Sequence, residues 1–185
     1  MLKTVRESCS FPLFSVLLWG GLSVGCASAG DGHPPLAVVP HVDLNRYIGT
    51  WYEIARLPFG QQEGCVGTTA TYGVREDGDI SVVNRCLDGS VDGPERVAEG
   101  KAWVVDPSTH AKLKVQFFWP FRGDYWVIDL ADDYQYAVIG MPSRKYLWIL
   151  NREPTMDPDI YSAILERAKK NGYDILRLIE TPQIQ

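Results

Sequence analysis

Catalytic equipment is what this 185-residue chain has least of. Its three histidines, His33, His41 and His110, are too scattered to form a metal triad or a Ser-His-Asp set, and no Gly-x-Gly-x-x-Gly phosphate loop is present. Cys65 has no nucleophile signature around it. The paired acids Asp132-Asp133 and Asp77/Asp79 sit in turn sequences, where solvated carboxylates are ordinary. These absences point away from an enzyme, a cofactor and a metal site. Lys and Arg number 18 against 23 Asp and Glu, a net charge of −5 with no basic cluster, which argues against nucleic acid as a partner. Long apolar runs are missing too. The stretch from Phe11 to Val24 is 14 residues, where a membrane-spanning helix needs about 20.

That short run, preceded by Lys3 and Arg6 and interrupted by Pro12, Gly20 and Gly21, has the form of an export signal, residues 1–25. Leu22-Ser23-Val24-Gly25-Cys26 resembles a bacterial lipobox, with Cys26 as the lipidated residue. The aliphatic Leu22 stands one place earlier than usual, and ordinary secretion with cleavage near Ala27-Ser28-Ala29 is the alternative. An acyl anchor at Cys26 implies attachment to a membrane, and Ala27 in place of Asp implies sorting to the outer membrane, with the domain in the periplasm. Removing the signal takes away Lys3, Arg6 and Glu7 and leaves the remainder one charge more negative. Residues 26–40, rich in Gly and Pro, form a flexible tether, and residues 41–185 form one domain.

Four cysteines are present. Cys9 leaves with the signal and Cys26 is the lipid site, so Cys65 and Cys86 remain, and export favours a disulfide between them. If Asp77-Gly78 centres the intervening hairpin, Cys86 lies opposite Thr69, four residues from Cys65. Closing that gap requires a bulge near Gly64 or Gly67, or an irregular strand end.

Across the domain, runs rich in Val, Ile, Tyr, Trp and Thr recur between turn signals. They are 50–57, 66–75, 80–86, 96–105, 111–118, 125–130, 136–141 and 146–151. Eight strands without intervening helices predict an all-β, eight-stranded up-and-down antiparallel barrel, a size that holds one small ligand. Asp43 suits the N-cap of a short turn entering it. One C-terminal helix follows, opened by Asp157-Pro158, striped by Ile160, Ile164, Leu165 and Ala168, and stopped by Asn171-Gly172. Residues 173–179 then predict a short ninth strand. Gly49 and Trp51 at the first strand, with Arg152 just after the eighth, suggest a structural floor. The glycine permits close approach, the indole plugs the closed end, and the guanidinium lies over it.

Three ordered segments carry a family resemblance: Asn45-Arg46-Tyr47-Ile48-Gly49-Thr50-Trp51-Tyr52-Glu53, Asp133-Tyr134-Gln135-Tyr136-Ala137-Val138-Ile139-Gly140, and Tyr146-Leu147-Trp148-Ile149-Leu150-Asn151-Arg152. With Gly67-Thr68-Thr69-Ala70-Thr71-Tyr72 and Phe117-Phe118-Trp119-Pro120-Phe121, they resemble the lipocalins, most closely the bacterial outer-membrane lipoproteins of the apolipoprotein D-like branch. The second segment lacks the Thr that precedes Asp-Tyr in many eukaryotic members. The resemblance implies a calyx that stores or transports a small hydrophobic ligand, a fatty acid or lysophospholipid, in the cell envelope.

Alternation supplies candidate ligand contacts. Lys112, Lys114 and Gln116 belong to solvent, which turns Leu113, Val115 and Phe117 inward. On the next strand either Tyr125 and Val127 or Trp126 and Ile128 face in, and the first pair is favoured because Asp129 then nears the strand end. Tyr146, Trp148 and Leu150 share a face, with Trp148 placed in the pocket by the resemblance, and Trp103 is a further candidate. Each aromatic also has an ordinary packing role open to it. Beside a ligand carrier stand an envelope interaction protein with a side-chain-filled barrel and, less favoured, a lipocalin-fold enzyme acting on a lipid. A homodimer is retained as a further partner.

Overall fold

The computed structural model describes residues 33–184. The export signal, Cys26 and the tether as far as residue 32 lie outside the described residues. From residue 33 the chain lies along the barrel: Leu36 is 6% exposed, and the Val39 N–H donates to the Val127 carbonyl at 3.0 Å. Leu36, Val38 and Val39 are apolar, and burying them outweighs the freedom that the neighbouring prolines suggested for this stretch.

After a short helix, α1 (Leu44–Tyr47), come eight strands: β1 (Gly49–Arg56), β2 (Cys65–Val74), β3 (Ile80–Asp88), β4 (Glu95–Val104), β5 (Lys112–Gln116), β6 (Gly123–Leu130), β7 (Tyr136–Gly140) and β8 (Leu147–Asn151). Each pairs antiparallel with the next, and β1 also pairs with β8 through Tyr52↔Asn151 and Glu53↔Leu150, which closes the ring. The helix α2 (Pro158–Lys170) begins where Asp157 accepts the N–H groups of Asp159 and Ile160. The ninth strand is shorter and later than 173–179. Ile175–Arg177 form a 3-10 turn, and only β9 (Ile179–Glu180) pairs, with Arg56 and Ala55 on the outer side of the ring.

Two apolar clusters organise the protein. One fills the lower half of the barrel, with Trp51, Tyr72, Val82, Leu113, Val127 and Ile139 among its members. The other lies outside the barrel wall, where Ile164 and Ala168 of α2 pack on Ala55, Val138, Leu147 and Ile149. Ile160, expected in that stripe, is 43% exposed because it stands in the first turn of the helix, beyond the wall's apolar patch.

The closed end is held by Arg152. Its guanidinium lies 3.7 Å from the centroid of Trp51, which is fully buried, and donates to the carbonyls of Thr50 (3.0 Å), Arg46 (2.7 Å) and Ile48 (3.1 Å). The Trp51 indole N–H donates to Tyr47 O at 2.9 Å. Gly49 has φ +101°, and a Cβ there would stand 3.2 Å from Arg152 Nη1, so the glycine admits the cation to the turn. One side chain thus joins the end of α1 and the start of β1 to the end of β8. Arg152→Ala is expected to cost about 3 kcal/mol from lost cation–π and charge-assisted contacts. That lowers the Tm by roughly 6–12 °C for a domain of this size. An unchanged Tm in calorimetry would show that the brace carries no stability.

Candidate functional site

The upper half of the barrel encloses a cavity of about 620 Å³, opening among the β1–β2, β3–β4, β5–β6 and β7–β8 connections. Its β5 and β6 wall comes from Val115, Phe117 and Tyr125, and its β7–β8 wall from Ile139, Tyr146, Trp148 and Leu150. Phe59, from the β1–β2 connection, sets its ring edge against Trp148 (centroids 5.6 Å apart) and Tyr146 (5.1 Å). Phe118 and Phe121 extend the apolar lining to the rim, where they are 69% and 77% exposed.

Five of the eight residues singled out from the sequence therefore stand around one cavity: Val115, Phe117, Tyr125, Tyr146 and Trp148. Leu113 and Val127 face inward as alternation requires, but at 4% and 0% exposure they are packed beneath the cavity, around a small void with Val42, Tyr47 and Ile80. Period two gives the face of a strand and not the depth. Trp103 is on the outer surface. Its strand partner is the solvent-facing Lys114, while its neighbour Ala102 opposes Val115 inside the barrel. Out there the indole lies under Lys101 Nζ (5.6 Å) and the Arg122 guanidinium (5.5 Å).

Cys65 and Cys86 form a disulfide at the cavity wall, Cα–Cα 5.4 Å. Thr69 pairs with Arg85 and not with Cys86, because the hairpin centres on Asp77. The register shifts again between Val66 and Thr69, with Gly67 at φ +60°. The two shifts together narrow the expected gap, and the bridge runs diagonally from Cys65 to Cys86.

A polar cluster that the sequence did not announce adjoins Trp148. The β1 ladder shifts register between Glu53 and Ala55, which brings Glu53 and Arg56 to one side instead of opposite faces. Both are buried, at 2% and 4% exposure, and their ion pair measures 2.9 Å. Such a pair tolerates burial when most of its remaining hydrogen-bonding groups are met, and of this pair's side-chain atoms Arg56 Nε is left without a partner among the described residues. Thr181 Oγ1 donates to Glu53 Oε1 (2.6 Å), Gln62 Nε2 donates to Oε2 (2.7 Å), and Arg56 donates to the Gln62 carbonyl (2.7 Å). Gln62 Oε1 in turn accepts the Trp148 indole N–H at 2.8 Å, fixing that ring at the cavity wall.

Below Trp148, three tyrosines from α1, β2 and β6 meet. Tyr47 Oη stands 2.7 Å from Tyr125 Oη, which donates to Tyr72 Oη at 2.9 Å. Burial disfavours their phenolates, pushing Tyr47 and Tyr125 well above the ordinary tyrosine range and Tyr72 to about 12. At the mouth, Arg96 donates to the Glu63 and Gln61 carbonyls and pairs with Asp88 at 3.2 Å, while on the outer face Lys114 pairs with Asp124 at 2.7 Å. Arg122 borders the same rim, with its guanidinium turned outward over Trp103.

The lipocalin-like domain family matches residues 42–183. The chain belongs to the lipocalin family. The outer membrane lipoprotein Blc of Vibrio cholerae is 41% identical, over 91% of this chain and 96% of its own. Temperature-induced lipocalin-1 of Arabidopsis thaliana is 43% identical, over 80% of this chain and 83% of its own. Apolipoprotein D of Bos taurus is 33% identical over 82% of each. Insecticyanin from Manduca sexta, at 21% identity and a TM-score of 0.65 over 83% of this chain and 87% of its own, shares the fold. Similarity to an outer membrane lipoprotein over most of the chain, with the lipobox-like Cys26, locates this lipocalin at the outer membrane as a lipid-anchored domain.

The tyrosine group predicts an alkaline limit to stability. Folded-state pKa values lie above the unfolded value of about 10, so the folded protein keeps protons that the unfolded chain releases. The stability these groups contribute is fully present below pH 10 and declines as pH rises above it, the Tyr72 share being lost as pH passes through about 12. Denaturant midpoints are expected to hold steady between pH 8 and 9.5 and to fall from pH 10 to 11.5, less steeply in Tyr72→Phe. An equal slope in that variant would remove Tyr72 from the account.

Proposed function

We propose that this lipocalin is a carrier of a single-chain amphiphile, a fatty acid or lysophospholipid, in the cell envelope. The observation that carries this reading is the cavity itself. It is closed at the Trp51 end, open at the other, mainly apolar in lining, and its 620 Å³ lies within the roughly 300–1,000 Å³ of small-molecule sites. A barrel filled by its own side chains would leave no such space. Burying about 16 methylenes at ~0.8 kcal/mol each contributes roughly 13 kcal/mol, against the ~8 kcal/mol of micromolar affinity. Several kcal/mol of ordering cost can be absorbed. The apolar walls take the acyl chain, with Trp148 held against it by Gln62. The relatives are named as lipocalins and lipoproteins, and a binding role without catalysis fits this chain best.

Titrating delipidated protein with hexadecanoate is expected to give a saturable change in tryptophan fluorescence with a micromolar midpoint. Val115→Trp, which fills the cavity, is expected to weaken binding at least tenfold. Trp103→Ala, on the outer face, is expected to leave the midpoint unchanged. No saturable response to hexadecanoate or to a lysophospholipid would overturn the carrier reading.

A further inference from the structure

The exposed large apolar side chains are not spread evenly over this barrel. Phe118, Trp119 and Phe121 stand within four successive residues of the β5–β6 connection and are 69%, 83% and 77% exposed. The Phe121 N–H donates to the Phe118 carbonyl at 2.8 Å, so the turn closes on itself and the three rings share one tip. Leu176, 93% exposed, lies at the same end of the barrel. It falls between Asn171, whose carbonyl accepts from Arg144 of the β7–β8 connection, and Ile179, which pairs with Arg56 at the upper end of β1. At the closed end the exposed large apolar side chains are Val74, Val105 and Ile160, with no exposed Phe, Trp or Tyr among the described residues. Scattered exposed aliphatics are ordinary, whereas an aromatic tip beside an open cavity is a surface that a partner covers.

The path of the chain says which partner is within reach. The Pro34 carbonyl accepts from Arg144 Nη2 at the mouth end, and a Cβ at Gly172 would stand 2.8 Å from the His33 ring. Val39 then pairs with Val127, and the Val42 N–H donates to the Thr109 carbonyl in the β4–β5 connection at the closed end. Residues 33–43 therefore run from mouth to floor, and the chain enters at the mouth. Seven residues lead from Cys26 to His33, a span of at most ~25 Å. The ten-residue strands β2 and β4 are each about 33 Å long, or roughly 25 Å of height at the ~40° tilt of barrel strands. A link from Cys26 that ran down the barrel to lay its floor on the bilayer would be used up by that height. The mouth has the whole span to spare.

We infer that the rim of the calyx is a membrane-docking surface, with Phe118, Trp119 and Phe121 seated in the interfacial layer of the bilayer that holds the Cys26 acyl group. The inference builds on lipid anchoring at Cys26 and is independent of what the cavity carries. Indole and phenyl rings suit that layer, where the rings leave water and the indole N–H keeps a polar partner. Three rings alone make a weak contact. An anchor within ~25 Å makes the contact intramolecular in effect, so a weak one suffices. In this pose the mouth faces lipid, and a ligand passes between bilayer and calyx without crossing water.

The test uses the mature, lipidated protein reconstituted into phosphatidylcholine vesicles whose acyl chains do or do not carry bromine, a contact quencher of tryptophan. Brominated vesicles should quench the emission of the native protein, and at least half of that loss should disappear in Trp119→Phe, which keeps the rim apolar. The double variant Phe118→Asp with Phe121→Asp should cut the lipid quenching at least twofold and open Trp119 to quenching by aqueous iodide. Both positions are exposed, and circular dichroism confirms that the variant is folded. Absence of lipid quenching in the native protein would overturn the inference. So would quenching that persists unchanged in Trp119→Phe, which places lipid against another tryptophan such as Trp148. Protection of Trp119 from iodide without quenching by brominated lipid would also overturn it and assign the rim to a second copy of this chain.

Discussion

Everything in this barrel depends on its floor being sealed by a cation held over an indole. A ring of eight short strands has no edge to fray, but it has two ends, and water admitted at both would leave no apolar interior. Trp51 blocks the lower end, and Arg152 caps it from outside while tying α1, the start of β1 and the end of β8 together. The guanidinium's several donors let one side chain satisfy carbonyls that the turn leaves unpaired, which no apolar plug would do. Gly49 is the complementary concession, since a side chain there would crowd the cation.

With the floor closed, the interior divides by depth. Below, Leu113, Val127 and Val82 pack tightly around Trp51 and Tyr72. Above, small residues on β2 and β4, Ala70 and Ala98, leave the space that Val115, Ile139 and Leu150 border. The helix α2 covers the outside of β7 and β8, so those two strands are apolar on both faces and hold the Trp148 wall rigid. Buried ion pairing of Glu53 with Arg56 and the bridge through Gln62 then fix the indole's orientation. The walls are thus stiff, and the exposed aromatics are concentrated at the rim.

Much of the architecture was legible because strand parity and turn chemistry are local. Lys112, Lys114 and Gln116 alone assign the inner face of β5, and Asp157-Pro158 with Asn171-Gly172 bracket α2. Depth was not legible, which is why Leu113 and Val127 look like Val115 in sequence and lie beneath the cavity. The outward face of Trp103 was legible as well, since Glu95, Glu99 and Lys101 share its parity on β4, and the pairing Ala102↔Val115 agrees. Two bulges hid further features. The shift at Gly67 helps bring Cys65 to Cys86, and the shift after Glu53 joins it to Arg56. The tyrosine group draws on α1, β2 and β6, and the Glu53 cluster on Thr181 more than a hundred residues away, so neither leaves a local pattern.

The resulting picture is a sealed, rigid, lipid-anchored calyx whose apolar space is open at one end and suited to one chain. Native mass spectrometry of the protein extracted from its own membrane in mild detergent, followed by lipid extraction, addresses that claim most directly. The account predicts one bound molecule per chain, of a mass matching a single-chain acyl lipid, and its loss when Val115 is replaced by Trp. Protein that emerges without bound lipid, or whose bound lipid is unaffected by filling the cavity, would contradict it.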